Sequence, residues 1–131
     1  MPVKCTYGDL DKLRGAPRQK IWNHTFSSPL DGHRVRSWWH SLATVVGEYE
    51  AELLKLAEKF GTKRGSGVQI PADKLPEYLE AKLPLDAVER EITLVPLPYS
   101  TWSQVPLSAA DQEALEKFVE PAAEEIRAVE K

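Results

Sequence analysis

Apolar residues between positions 31 and 60 recur at steps of three or four, and this is the strongest constraint that the sequence places on its fold. An α-helix turns once every 3.6 residues, so this spacing lines one face of a helix. Gly61 is placed to cap its C-terminal end. The pattern predicts a helix over 31–60, about 45 Å long. Its buried stripe is expected to consist of Val35, Trp38, Trp39, Leu42, Val45, Val46, Tyr49, Leu53, Leu56 and Phe60.

The stretch RVRSWWHSL at 34–42 permits two interpretations. Basic residues interleaved with aromatic ones suit nucleic-acid binding, but Trp38 and Trp39 both stand three or four residues from Val35 and from Leu42. That spacing favours core packing for both tryptophans. His40 is expected to be partly buried beside them. Within the same helix Gly47 is a weak point and is expected to mark close approach by another segment, although the pattern leaves open whether the helix breaks there.

The remaining segments predict an α+β fold for a single domain of residues 1–131. Residues 1–30 read as a short strand, a helical turn and an aromatic connector, and residues 120–131 as a C-terminal tail. The GTKRGSG stretch at 61–67 indicates a mobile surface loop. The expected architecture is one long helix with two shorter helices packed on a small β-sheet. In 68–119 a strand, helix, strand and helix are predicted at 68–71, 72–83, 90–97 and 107–119.

Two details of that second half are specific enough to test. Leu75, Tyr78, Leu79 and Leu83 share one face of the helix predicted at 72–83. Ser108 is expected to cap the helix that follows it, in an arrangement close to a capping box.

Composition argues against several kinds of functional site. The single cysteine, Cys5, excludes an internal disulfide and a zinc site built from several thiolates. His33 and His40 are two turns apart and suit no shared metal ion. We therefore expect no metal, no cofactor and no enzymatic activity. No apolar run approaches the roughly 18 residues that a membrane span needs, and no signal peptide is evident, so a cytoplasmic protein is expected.

The charges are unevenly distributed along the chain. Residues 1–66 carry 11 lysines and arginines against 7 acidic residues, whereas residues 67–131 carry 6 against 13. The two halves are expected mainly to pair with each other within one fold, although such a split can also orient a partner or a second copy of the chain. A basic patch for nucleic acid would use Arg14, Arg18, Lys20, Arg34 and Arg36, but the pI near 5.6 makes this the less favoured interpretation.

A polar aromatic loop, PLPYSTWSQVPL, carries the best candidates for a protein contact. Tyr and Trp are enriched at binding hot spots, although Tyr99 and Trp102 serve equally well to close the core. Together with the basic start of the long helix they define the expected partner-binding residues, which are Arg34, Arg36, Tyr99 and Trp102.

The order of the segments resembles a family of small bacteriophage proteins of unknown function. The resemblance covers about residues 3–120. It is carried by HRVRSWWHSLATVVGEYEAELLKLAEKFG, the loop TKRGSG, VQIP, DKLPEYLEAKL, EITLVPLP and PLSAADQEALEKFVEP. The connector QKIWNHTFSSPLDG and the tail after Pro121 depart from the family pattern. The resemblance implies a phage origin and an α+β fold, and it implies no catalytic residues.

These observations lead us to expect a non-enzymatic phage accessory protein that binds a phage structural or host protein, for example in virion or tail assembly. It would act in the host cytoplasm or the virion. The sequence leaves open whether the chain forms a homo-oligomer. The ten prolines and the single asparagine favour a thermophilic source. A host-directed inhibitor is the alternative, and a nucleic-acid binder is the third hypothesis. The inhibitor would use the acidic residues of the C-terminal half, which include Glu113, Glu116, Glu120, Glu124 and Glu125.

Overall fold

The computed structural model describes residues 2–65 and 67–121 and has the expected α+β architecture. Its longest element is helix α3, Pro29–Glu58. Within the described residues five shorter helices accompany it, rather than the two predicted: α1 (Tyr7–Leu13), α2 (Ala16–Asn23), α4 (Leu75–Asp86), α5 (Tyr99–Trp102) and α6 (Ala109–Leu115). The strands are β1 (Pro2–Thr6), β2 (Thr62–Arg64), β3 (Gly67–Gln69) and β4 (Glu89–Thr93). They form two antiparallel pairs, β1 with β4 and β2 with β3.

Helix α3 begins two residues earlier than its periodicity predicts. The Ser28 hydroxyl accepts a hydrogen bond from the Leu30 amide, and Pro29 occupies the first helical position. Proline suits that position because its missing N–H has no helical partner to lose. The Ser-Pro pair is therefore a helix start, where the sequence suggested the end of the aromatic connector.

The core lies along the predicted stripe of α3. Trp38, Leu42, Val46 and Tyr49 are buried, and the Trp38 indole N–H donates a 2.7 Å hydrogen bond to the Phe118 carbonyl. Trp39 is only partly buried, and the expectation that His40 is partly buried is wrong, because its side chain is exposed. The core residues outside α3 come from the segments before it and from β4 onward, and include Cys5, Tyr7, Leu10, Leu13, Ile21, Ile92, Leu94, Leu97, Val105, Leu115 and Val119.

The predicted loop at 61–67 is largely a β-hairpin, formed by β2 and β3. Gly65 turns the chain with a φ of +59°, a conformation that glycine adopts at little cost. Gly61 has a different role from the expected helix cap. An added Cβ there would overlap the backbone oxygen of Gln69, so glycine allows β3 to approach closely.

Other details of the predicted secondary structure are wrong as well. The strand predicted at 90–97 ends at Thr93, and the Val95 amide instead donates to the Ser41 hydroxyl. The final helix ends at Leu115 rather than at residue 119, although its capping box between Ser108 and Asp111 is confirmed. The connector after Gly15 forms the regular helix α2.

The leucines of α4 lie on an exposed part of the helix. None of its residues is fully buried, and the exposed fractions of Leu75, Leu79 and Leu83 are 43%, 51% and 67%. Tyr78 packs edge-on against Phe60, with the ring centroids 6.2 Å apart. In the described part of the chain no helix is both long and apolar enough to cross a membrane.

Helix α3 continues through Gly47 without a break, and no heavy atom lies within 4 Å of a Cβ added there. The expected close approach by another segment is therefore wrong. We predict that Gly47→Ala stabilises the protein by about 0.5–1 kcal/mol, because alanine loses less conformational entropy in a helix. Chemical denaturation measures this change.

Gly61→Ala is the matched control for this prediction. It makes the same chemical change where the backbone of β3 leaves no room, so it should lower the free energy of unfolding. A Gly47→Ala protein that is less stable than the wild type would contradict an open helix surface at that position.

Candidate functional site

The start of α3 is fixed to α5 through a buried carboxylate. Asp31 accepts hydrogen bonds from the Thr101 hydroxyl at 2.7 Å and from the Gln104 amide at 2.9 Å. The Arg34 guanidinium lies 3.6 Å from the same carboxylate. The bonds from Gln104 and Thr101, with the charge of Arg34, hold the pKa of Asp31 below its ordinary value. The charge of Arg34 is thus partly balanced by Asp31 within the protein.

The two aromatic residues of the predicted partner-binding set pack on each other. The rings of Tyr99 and Trp102 meet edge to face, with centroids 5.1 Å apart. The Trp102 indole N–H donates to the Glu120 carbonyl at 2.8 Å, and both side chains are partly buried. Trp102 packs against the core, and both side chains keep exposed surface. Their role in partner binding stays a prediction.

Arg36 does not share a surface with Arg34. Two residues correspond to about 200° around a helix, so the two side chains leave α3 on different sides. Arg34 reaches Asp31 beside α5, whereas Arg36 lines a cleft at the C-terminal end of α2. The four expected partner-binding residues are consequently divided between two surfaces.

The five basic residues proposed for nucleic acid are also divided, because most have partners within the protein. Arg14 lies 3.0 Å from Asp11, and its guanidinium carbon is 5.5 Å from the centre of the Tyr49 ring. Lys20 forms an ion pair with Asp111, which joins the basic half of the chain to the acidic half. Among the described residues Arg18 and Arg36 have no carboxylate within ion-pair distance.

Arg18 lies between two tryptophans. Its guanidinium carbon is 4.5 Å from the centre of the Trp39 ring and 5.1 Å from that of the Trp22 ring, which are cation–π distances. Its Nε atom is buried and has no hydrogen-bond partner in the described structure. Trp39 therefore packs on a cation at the edge of the core.

A cleft of about 340 Å³ opens beside this stack, between the end of α2 and the first two turns of α3. The rings of His24 and Phe26 meet edge to face on its wall, 4.7 Å apart. No carboxylate lines it, whereas the two other clefts described carry two acidic residues or more. We call it the aromatic cleft; its lining residues are Trp22, His24, Phe26, Ser28, Pro29, Gly32, Val35 and Arg36.

The sequence predicts only an aromatic connector in this region and no cleft. The available signal was the concentration of aromatic residues in IWNHTF just before a helix start that carries Arg36. Only the turn at Ser28–Pro29 brings these two segments together.

A second missed feature is a polar cluster that fastens α4 to α1 and α3. Lys82 donates to Asp86 at 2.7 Å and to Asp11 at 3.1 Å, and the Tyr49 hydroxyl donates to Asp86 at 2.8 Å. Burial alone would lower the pKa of Lys82, but its bonds to Asp86 and Asp11 raise it. Burial and the bond to Asp86 raise the pKa of Tyr49. These groups satisfy one another, which suits a structural role.

The acidic residues proposed for an inhibitor surface lie mainly around α6. Glu113, Glu116 and Glu120 are exposed, and Glu124 and Glu125 lie outside the described residues. Glu113 and Glu116 border a cleft that Lys12 and Lys117 also line, so the local charge is mixed. The inhibitor hypothesis stays a prediction.

Helix α4 carries three of the exposed large apolar side chains of the described residues. Leu75, Leu79 and Leu83 stand four residues apart and follow one side of the helix. Leu83 has the highest exposed fraction of the large apolar residues described, 67%. We call these three side chains the leucine face.

Within residues 2–65 and 67–121 no three His, Cys, Asp or Glu side chains are grouped so that they could hold a metal ion. Comparison with family models, with curated proteins and with solved structures yielded no match for this chain.

The geometry around Asp31 predicts a stability difference that depends on pH. Because its folded pKa lies below the ordinary value of 3.8, its charge stabilises the fold above that pH. The stabilisation is lost as the pH falls through the lower, folded pKa. Asp31→Asn should therefore be less stable than the wild type at pH 7, and this difference should shrink at about pH 3.

Denaturant midpoints of the two proteins at both pH values measure this effect. Other carboxylates titrate equally in both and cancel in the difference. An equal gap at pH 7 and pH 3 would show that the charge of Asp31 does not hold α3 to α5.

Proposed function

We propose that this chain is a non-enzymatic protein-binding module whose partner docks on the leucine face of α4. The observation that carries the proposal is the exposure of Leu75, Leu79 and Leu83, at 43%, 51% and 67%. Contiguous exposed apolar side chains on a soluble domain commonly mark an interaction site. Full burial of one leucine stabilises by roughly 1.5–3 kcal/mol. Because these leucines are still partly exposed in the folded chain, a partner that covers them would gain the remaining part of this free energy.

The polar cluster supports this proposal because it holds α4 in place. Lys82 and Asp86 join α4 to α1 and α3 through Asp11 and Tyr49. The exposed leucines consequently belong to a helix that is fixed at several points. A preformed surface of this kind binds without first having to be ordered.

Charge indicates the chemistry of the partner. The exposed carboxylate Glu80 lies on α4 one turn from Leu83, while the charge of Lys82 is balanced by Asp11 and Asp86. The complementary surface is an apolar helix bordered by lysine or arginine, bound side by side with α4.

The resemblance to small phage proteins provides the setting of the proposal. A phage structural protein, in virion or tail assembly, is the partner that we propose. A host defence or transcription complex would instead assign the chain to host-directed inhibitors.

We predict that Leu79→Gln together with Leu83→Gln lowers recovery of the partner at least about tenfold, which corresponds to about 1.4 kcal/mol. The tagged protein is isolated from phage-infected cells, and each phage tail and capsid protein is quantified by mass spectrometry. Both leucines are exposed, so the variant should keep its fold, which circular dichroism checks. Leu30→Gln is the matched control, because Leu30 is 53% exposed on α3 and lies away from α4.

Recovery of a tail or capsid protein that falls in the double variant and not in the control supports the proposal. If a host complex is recovered instead, and its recovery falls in the double variant but not in the control, the chain is a host-directed inhibitor rather than an assembly protein. If the double variant lowers only the self-association of the protein, the leucine face binds a second copy of this chain. Recovery that is equal in all three proteins would overturn the leucine face as a binding site.

A further inference from the structure

We propose that the aromatic cleft binds a nucleotide unit, with the base stacked on Trp22 and the phosphate paired with Arg36. The unit is either a free nucleotide or part of a single-stranded nucleic acid. This site is separate from the leucine face and does not depend on the proposed function. Its evidence is the arrangement of aromatic and cationic groups around one opening.

The base-binding part of the site is a supported ring. Trp22 is 41% exposed and lines the cleft, and the guanidinium of Arg18 lies against its ring. Arg18 in turn lies over Trp39, which packs on the core. The stack fixes the orientation of the Trp22 ring and leaves part of it open to the cleft. Aromatic side chains of this kind stack with any base, because every base has a π-face.

The phosphate-binding part is Arg36. It is exposed, it lines the same cleft, and no described carboxylate lies within ion-pair distance of it. A guanidinium presents paired donors that match two phosphate oxygens. Because no acidic side chain lines the cleft, an anion entering it meets no local repulsion from its walls.

Size and shape favour a nucleotide over other anions. The cleft of about 340 Å³ lies at the small end of ligand sites, which suits a single nucleotide unit. A bare phosphate would leave Trp22 and the His24–Phe26 pair unused, and an acidic peptide lacks a planar ring for Trp22. A nucleotide uses both the aromatic wall and the cation.

This arrangement also refines the nucleic-acid hypothesis drawn from the sequence. Arg14, Lys20 and Arg34 are paired with acidic groups, so they contribute little to a basic surface. Arg18 and Arg36 remain, one behind the aromatic ring and one in the cleft. The site is therefore local, which is compatible with a chain of pI near 5.6.

Titrations of the 131-residue chain with dTMP, with thymidine and with the oligonucleotide (dT)10 test the proposal. Calorimetry and quenching of tryptophan fluorescence report binding. We expect saturable binding of dTMP or (dT)10 and at least about tenfold weaker binding of thymidine, which lacks the phosphate. Arg36→Gln and Trp22→Leu should each weaken nucleotide binding by at least about tenfold. Arg64→Gln, a change of another exposed arginine on the distant hairpin, should not.

The arms of the experiment distinguish the two sources of the nucleotide. Equal affinity for dTMP and (dT)10 assigns the site to free nucleotides. Much tighter binding of (dT)10 that weakens with salt assigns it to a single strand. The proposal is overturned if neither probe binds saturably at millimolar concentration, or if binding is unchanged in Arg36→Gln, a substitution at an exposed position that should preserve the fold. An acidic peptide that binds through Arg36 while nucleotides do not would overturn it as well.

Discussion

The length of α3 determines how the rest of the chain is arranged. Thirty helical residues extend about 45 Å, more than a compact domain of this size needs, so other segments must each cover a different stretch of one helix. The covering contacts run in order along it: Asp31 to Thr101, Trp38 to Phe118, Ser41 through its hydroxyl to Val95, Tyr49 to Asp86, and Phe60, just past the helix end, to Tyr78. The buried bond from Trp38 to Phe118 is central, because it fixes the chain after α6 to the middle of this series.

Periodicity predicted α3 well because ten apolar positions repeat the same spacing. An error of two residues at each end of the helix is small compared with its length of thirty residues. The capping box at Ser108 was predictable because both of its partners lie within one turn. For α4 the spacing predicted that the leucines share a face, but spacing alone does not say whether that face is buried. The polar contacts that fix α4 join Lys82 and Asp86 to Tyr49 and Asp11, and these residues come from three separate segments.

The candidate sites show that the sequence also does not reveal which partners charged and aromatic residues will meet in the fold. The sequence shows how many arginines a segment carries but not which carboxylate each will meet, and Arg14, Lys20 and Arg34 meet acidic partners on folding. The two adjacent tryptophans look equivalent on a helical wheel. In the fold Trp38 enters the core, whereas Trp39 lies over Arg18, a residue about twenty positions earlier in the chain. That contact creates the supported ring of the aromatic cleft and has no local sequence signature.

The two proposed sites lie against different parts of α3. Gly32 and Arg36 of the aromatic cleft belong to its first turns, whereas α4 contacts it at Tyr49 and contacts Phe60 just past its end. The stretch of α3 from Arg36 to Tyr49 is an unbroken helix, about 20 Å long, with a buried stripe along it. Groups this far apart, with no shared side chains, respond independently to substitution. Coupling between the sites would require α3 itself to bend, and its packed core opposes this. The architecture therefore suits a chain that holds two different occupants at a fixed separation.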